Sequence, residues 1–196
     1  MLALAACIAL HAFTPALAQQ AAREGAAMAD AHQAYGVKPW LIYQSTDPLR
    51  AAHDRAGVDA IVLETPYERV RYYGYLHRLQ GDAITPALDA QLYRDARGRL
   101  GFVVYAHSKT DQDQRFLSHF TAATLAMPNG LEHSNERAIF GPSSDFYDVG
   151  TFREERWVGS LTYRFALPAC AARDELTFKD GYGDRYAASF DLARYR

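Results

Sequence analysis

Residues 157–167 read WVGSLTYRFAL, and this stretch has the clearest β-strand pattern in the chain. Leu161, Tyr163 and Phe165 occupy alternate positions, and smaller or polar residues such as Thr162 and Arg164 lie between them. Successive side chains of a strand point to opposite faces of its sheet, so this alternation predicts a strand with one buried face. We therefore expect the core to be built from strands.

Further strands are predicted on both sides of this segment, because short apolar runs recur along the chain. Aromatic residues make up 13% of the sequence, which favours strands over helices. The predicted strands cover residues 37–43, 58–64, 100–107, 121–127, 137–140, 176–178 and 186–192. Short strands separated by turn signals predict an antiparallel two-layer sandwich, immunoglobulin-like in general architecture.

A helical hairpin is predicted within this β fold at about residues 66–96. Thr65 and Glu68 form a capping box, in which each side chain satisfies a backbone N–H at the start of a helix. This helix is expected to end at Gly81, and a second helix follows the Thr-Pro pair at residues 85–86. The tyrosines of the first helix are expected to pack against the sheet with their hydroxyls at the rim. The predicted fold class is thus mainly β with a helical hairpin (α+β).

Residues 1–18 read MLALAACIALHAFTPALA and contain no Asp, Glu, Lys or Arg. The run is too short to cross a bilayer, which needs about 20 apolar residues. It ends in Ala16-Leu17-Ala18, a small-residue cleavage site, so we expect a secretory signal peptide that is cut after Ala18. The alternative is a buried N-terminal helix. Export predicts that the mature chain is periplasmic or secreted.

The remaining chain is expected to form one domain. Residues 19–36 are rich in Ala and predict a mobile leader or a short helix. Residues 37–196 are expected to form a single β-sandwich domain, since a chain of 196 residues fits one domain better than two. The apolar fraction of 49% is enough for a real core, which excludes a wholly disordered chain.

The sequence has two cysteines, Cys7 and Cys170. Leu4-Ala5-Ala6-Cys7 has the pattern of a lipoprotein lipobox, so a membrane tether through a lipidated Cys7 is an alternative to cleavage after Ala18. The apolar run continues beyond Cys7, which favours the cleavage. Cleavage would leave Cys170 alone in the mature chain and exclude an intramolecular disulfide.

Charge and motifs exclude several common function classes. The chain has 21 basic and 23 acidic residues, a balance that is not typical of a general nucleic-acid binder. It contains no G-x-S-x-G, H-E-x-x-H, C-x-x-C or phosphate-loop motif. We therefore expect no cofactor and no metal, and the sequence favours a non-catalytic protein over an enzyme.

The candidate ligand-binding residues lie in and after residues 141–150, which read GPSSDFYDVG and form the longest stretch predicted to be irregular. Long ordered loops on a rigid scaffold often bind ligands. The stretch is aromatic and acidic, and an arginine follows it closely, so the predicted binding residues are Asp145, Phe146, Tyr147 and Arg153. The alternative is that Phe146 and Tyr147 fill the edge of the core.

These observations favour an exported cell-envelope protein that binds a protein or another cell-envelope ligand without catalysis. The alternative is a periplasmic enzyme, metal-assisted or acid–base, centred on His107, Asp111 and His119, of which His107 and Asp111 lie at the end of a predicted central strand. A third hypothesis is a carrier for an apolar ligand inside the sandwich.

Overall fold

The strand predicted around Leu161 forms, and it belongs to a fold with two main antiparallel sheets and a group of three helices. The computed structural model describes residues 8–9, 13–45, 57–128, 130–134, 136–149, 151–168, 170–171 and 173–195. Within these residues the predicted class, mainly β with a helical hairpin, is confirmed. The finer likeness to immunoglobulin domains is not confirmed.

The described strands and helices are numbered here in chain order. The strands are β1 (Ile8–Ala9), β2 (Leu41–Gln44), β3 (Val58–Glu64), β4 (Arg99–His107), β5 (Thr124–Met127), β6 (Gly130–His133), β7 (Glu136–Val149), β8 (Phe152–Ala166), β9 (Cys170–Ala171), β10 (Arg173–Lys179) and β11 (Arg185–Asp191). The helices are α1 (Pro15–Asp30), α2 (Pro66–Leu79) and α3 (Pro86–Ala96), with short 3₁₀ segments at Lys38–Trp40, Phe116–His119 and Leu192–Arg194.

The two sheets pack face to face around one hydrophobic core. The larger sheet has the strand order β2-β3-β4-β8-β7, and the smaller one has the order β11-β10-β5-β6. Phe102 of the larger sheet meets Phe190 of the smaller one with ring centroids 5.3 Å apart, and Tyr163 meets Phe178 at the same distance. Buried apolar side chains of both sheets meet in this core, and the carrier for an apolar ligand inside the sandwich stays a hypothesis.

The helical hairpin begins where the sequence predicts. The Thr65 hydroxyl accepts a hydrogen bond from the backbone N–H of Glu68 at 3.2 Å, and the Thr85 hydroxyl caps the next helix in the same way. Both helices carry proline in the first turn. The Glu68 carboxylate, however, turns away from the capping role and binds other side chains, which are described below.

A third helix, α1, packs against α2 through small residues. A Cβ atom added to Gly25 would lie 1.9 Å from the Arg71 carbonyl oxygen, and one added to Gly74 would lie 2.4 Å from that of Ala22. The two backbones therefore touch, as helices do when glycine and alanine line the contact. Residues 19–36 thus contribute most of a packed helix rather than a mobile leader. The proposed cleavage point after Ala18 lies within α1, whereas Cys7 lies outside the described residues.

The stretch predicted as an irregular loop is instead part of a long strand. Residues 141–149 belong to β7, and the register shifts between Phe140 and Ser143, which lets the strand pass Gly141 and Pro142. The prediction is wrong because β8 extends far enough towards the N-terminus to pair with this segment. Since β4 pairs with β8 only from Val158 onward, residues 143–149 and 152–157 form a two-stranded ribbon beyond the sheet.

Across the residues that the structure describes, no helix is both long enough and apolar enough to cross a membrane.

Candidate functional site

A cleft of about 390 Å³ lies between α2 and the outer face of the larger sheet. Aromatic and aliphatic side chains form most of its wall, and a few charged groups lie at one side. Its lining residues are Tyr35, Val37, Val62, Glu64, Glu68, Tyr72, Tyr73, Leu76, Val103, Tyr105, Phe140, Ser160, Thr162 and Arg164. A concave, mostly apolar surface with few polar groups is typical of a small-molecule site.

The floor of the cleft follows from strand alternation. Val104 and Leu161 point into the core and are fully buried, so the neighbouring residues of β4 and β8 point outward. These outward residues include Val103, Tyr105 and Thr162, which line the cleft. The same alternation that predicts the core therefore also creates the floor of the cleft.

Tyrosines of α2 form the opposite wall. Tyr72 and Tyr73 are in edge contact with ring centroids 5.9 Å apart, and Tyr35 lies 5.0 Å from Tyr72 in a T-shaped pair. Leu76 follows one turn later on the same side of the helix. Burial raises the pKa of Tyr72 above its ordinary value, so its hydroxyl stays neutral. The wall is therefore an aromatic, uncharged surface.

Tyr35 is held in place by an ion pair on α2. Its hydroxyl donates a 2.6 Å hydrogen bond to Glu68, and the Nε of Arg71 donates to the same carboxylate at 2.9 Å. The Arg71 guanidinium also lies 4.7 Å above the Tyr35 ring and 4.1 Å above the Trp40 ring. Burial raises the pKa of Glu68, and the bonds from Arg71 and Tyr35 oppose that shift. This network fixes the position of one wall before any ligand arrives.

Glu64 is the second carboxylate of the cleft. Its side chain lies over Gly101, where an added Cβ would come within 2.5 Å of the Glu64 carboxylate oxygen. Burial raises the pKa of Glu64, and the nearby charges of Arg69 and Arg164 lower it in part. Arg69 is 3.3 Å from this carboxylate, so the charge of Glu64 is largely compensated within the protein.

A second cavity, named here the acidic recess, continues the cleft along the outer face of the sheet. It has a volume of about 450 Å³ and shares Tyr105, Phe140 and Ser160 with the cleft. The remaining lining residues include two carboxylates, a tyrosine and small residues, and they are Asp59, Ala106, Gly141, Ser143, Asp145, Tyr147, Val158 and Gly159. The cleft and the acidic recess thus adjoin on one face of the sheet, and the two together, with chemically different ends, are named here the groove.

Asp59 connects the acidic recess to a buried histidine. His107 has no exposed surface, and its Nδ1 donates a 2.9 Å hydrogen bond to Asp59. The centroid of the Tyr147 ring lies 4.9 Å from that of the imidazole. Burial, together with the charges of Asp59 and Asp145, raises the pKa of Tyr147. Tyr147 therefore attaches the ribbon to the end of β4.

The predicted binding residues divide between the two faces of the ribbon. Asp145 and Tyr147 line the acidic recess. Phe146 and Arg153 lie on the other face, where the Arg153 guanidinium is 5.1 Å from the Phe146 ring. The structure therefore brings two of the four residues into the groove and leaves the other two as a separate surface pair.

The residues proposed for an enzyme have separate surroundings. Asp59 is the partner of His107 Nδ1, whereas the backbone carbonyl of Asp111 accepts a hydrogen bond from the Trp157 indole. His119 is exposed in a 3₁₀ turn that packs near Gly181. Within the described ranges, no group of three or more His, Cys, Asp and Glu residues has the arrangement of a metal site.

Sequence reasoning missed Asp59, Glu64 and Tyr35. The first two were visible as acidic residues inside the otherwise apolar strand VDAIVLE, where a carboxylate must find a partner or face a cavity. Tyr35 gave no local signal, because its role depends on a contact with Glu68 across a separation of 33 residues.

Comparison with protein-family models, with curated proteins and with solved structures finds no match to this chain.

Proposed function

We propose that this protein is a non-catalytic binding protein that takes up a small, largely apolar molecule in the cleft between α2 and the larger sheet. The observation that carries this proposal is the cleft of about 390 Å³ with its aromatic and aliphatic lining. Removing apolar surface from water is the main source of affinity for such a ligand.

The rigidity of the walls supports the same proposal. Tyr35 is held by Glu68 and Arg71, and Tyr72 packs against Tyr35 and its neighbour Tyr73. A site whose side chains are already ordered loses less entropy on binding, and so a larger share of the contact energy becomes affinity.

Export remains part of the proposal. A signal peptide cut after Ala18 would place the binding protein in the periplasm or outside the cell. The cut would leave the α1 residues that pack on α2 around Gly25 in the mature chain. Sequencing the N-terminus of protein recovered from cells tests this, since a start at Gln19 supports cleavage and a lipidated Cys7 contradicts it.

Filling the cleft tests the proposed function. Val103→Trp should place an indole on the floor of the cleft and reduce binding of the neutral fluorescent probe N-phenylnaphthylamine by about tenfold or more. Leu76→Trp fills the same cleft from the helix side, in case the first variant unfolds. Ala187→Trp, at an exposed site on β11, is the matched control and should bind like the parent protein.

Probe fluorescence titrations measure the affinities, and thermal unfolding shows which variants are folded. Equal binding by the folded cleft variants and the control would contradict the proposal. Failure of the parent protein to bind the probe would contradict it as well.

A protein partner at the ribbon is the second candidate function. Phe146 is 54% exposed and stacks with Arg153, and exposed aromatic and arginine side chains are common interface anchors. In this second candidate function, Phe146 and Arg153 bind a protein partner at the ribbon and take no part in binding the ligand of the groove.

A further inference from the structure

We infer that the ligand is an elongated amphipathic cation whose apolar body lies in the cleft and whose cationic group lies in the acidic recess. This inference rests on the proposed function, because it names the class of molecule that the same groove would take.

The first argument is adjacency. The cleft and the acidic recess share three lining residues, Tyr105, Phe140 and Ser160, so a ligand that extends across these residues reaches both cavities. Along β8 the lining runs from Val158 to Arg164. These seven residues span six steps of about 3.3 Å, or about 20 Å, which is the length of an extended molecule rather than of a compact ring.

The second argument is charge. Asp59 and Asp145 line the acidic recess, and no lysine, arginine or histidine is among its described lining residues. Arg156 lies opposite Asp145 in the strand register, but its guanidinium donates to Glu154 and to the backbone carbonyl of Glu155. His107 binds Asp59 from the buried side and leaves that carboxylate 25% exposed. The acidic recess therefore favours a positive group.

The third argument is the chemistry around the two carboxylates. The tyrosine rings of residues 105 and 147 line the same recess, and aromatic faces attract organic cations. The hydroxyls of Ser143 and Ser160 offer further acceptors for an ammonium group. A zwitterionic lipid headgroup in the acidic recess would find no basic side chain among the described lining residues of that recess to pair with its phosphate. The occupant is therefore a free organic cation and not a phospholipid.

The test compares four probes that share an octyl tail: octyltrimethylammonium, octanol, octylphosphocholine and octyl sulfate. Isothermal titration calorimetry below the micelle concentrations should show octyltrimethylammonium binding about tenfold or more tightly than octanol. Octyl sulfate should bind most weakly, because the carboxylates repel it. Octylphosphocholine should bind no better than octanol.

The carboxylates are tested by substitution. The variant Asp59→Asn,Asp145→Asn should lose the preference for octyltrimethylammonium over octanol and retain its affinity for octanol. Asparagine can still accept the hydrogen bond from His107, so the fold is preserved. Asp95→Asn, an exposed site on α3 outside the lining of the groove, is the matched control and should keep the preference.

The outcomes separate the two proposals. Binding of octanol without any preference for the cation would overturn this inference and leave the proposed function standing. Equal affinity for octylphosphocholine and octyltrimethylammonium would also overturn it. Binding of none of the four probes would overturn both.

Discussion

At the scale of single residues, Tyr147 and Phe146 are neighbours in sequence with opposite roles. Tyr147 packs on the imidazole of His107, whereas Phe146 is 54% exposed on the other face of the ribbon. Strand alternation explains the difference, because adjacent residues point to opposite sides. Tyr147 thus packs the ribbon onto the end of β4 and also lines the acidic recess. Phe146 is exposed, so a partner protein can contact it.

Alanine substitutions should separate these roles. Tyr147→Ala should lower the free energy of unfolding by about 1–3 kcal/mol, because it removes the ring that packs against the buried imidazole of His107. Phe146→Ala should change it by less than about 0.5 kcal/mol. Urea unfolding curves measure both, and an equal loss in the two variants would contradict the assignment of faces.

A second residue, Asp174, should make stability depend on pH. It is only 2% exposed, and neither carboxylate oxygen has a hydrogen-bond partner among the residues that the structure describes. Burial, with the charge of Asp191 as a smaller cause, raises the pKa of Asp174 to about 6. Between the unfolded value near 3.8 and this folded value the native state binds more protons, so its contribution to stability falls as pH rises.

Asp174→Asn should remove this dependence. Relative to the variant, the parent protein should lose about 2 kcal/mol of unfolding free energy between pH 4 and pH 7. Urea unfolding of both proteins at several pH values measures the difference, in which the contributions of other acids cancel. A constant difference across this range would contradict the assigned titration.

At the scale of elements, the contact between α1 and α2 sets the position of the tyrosine wall. Gly25 and Gly74 allow the two backbones to touch, and α2 carries Tyr72 and Tyr73 on its other side. A larger residue at the contact must push the helices apart, because the obstacle is backbone and not a flexible side chain.

Gly74→Ala should therefore lower the free energy of unfolding by about 1–3 kcal/mol, although alanine is the better helix former. Gly36→Ala is the matched control, since an added Cβ there meets no described residue within 4 Å, and it should cause no loss. Thermal or urea unfolding compares the two. A Gly74→Ala protein as stable as the parent would show that the helices are not in backbone contact.

Sequence patterns predict the elements well where the signal is local. The caps at Thr65 and Thr85 and the alternation around Leu161 are local, and the structure follows them. No local signal predicts the groove, because it forms only where α2 lies over strands that are distant in sequence. The capping-box pattern predicts that the Glu68 carboxylate accepts a hydrogen bond from a backbone N–H at the start of α2. In the structure this carboxylate instead binds the side chains of Tyr35 and Arg71.

At the scale of the whole molecule, the two faces of the larger sheet have different surroundings. One face packs on the smaller sheet and fills the core. The other face is only partly covered by the helices and carries the groove, with apolar lining under α2 and two carboxylates at the ribbon end. The ligand that we propose matches this change in lining, because its apolar body lies in the cleft and its cationic group lies in the acidic recess.

A crystal structure of the protein with octyltrimethylammonium tests this account most directly. The account predicts the octyl chain between α2 and Val103, and the ammonium group beside Asp59 and Asp145. An octyl chain bound elsewhere, or an ammonium group at the Arg164 end of the groove, would contradict it.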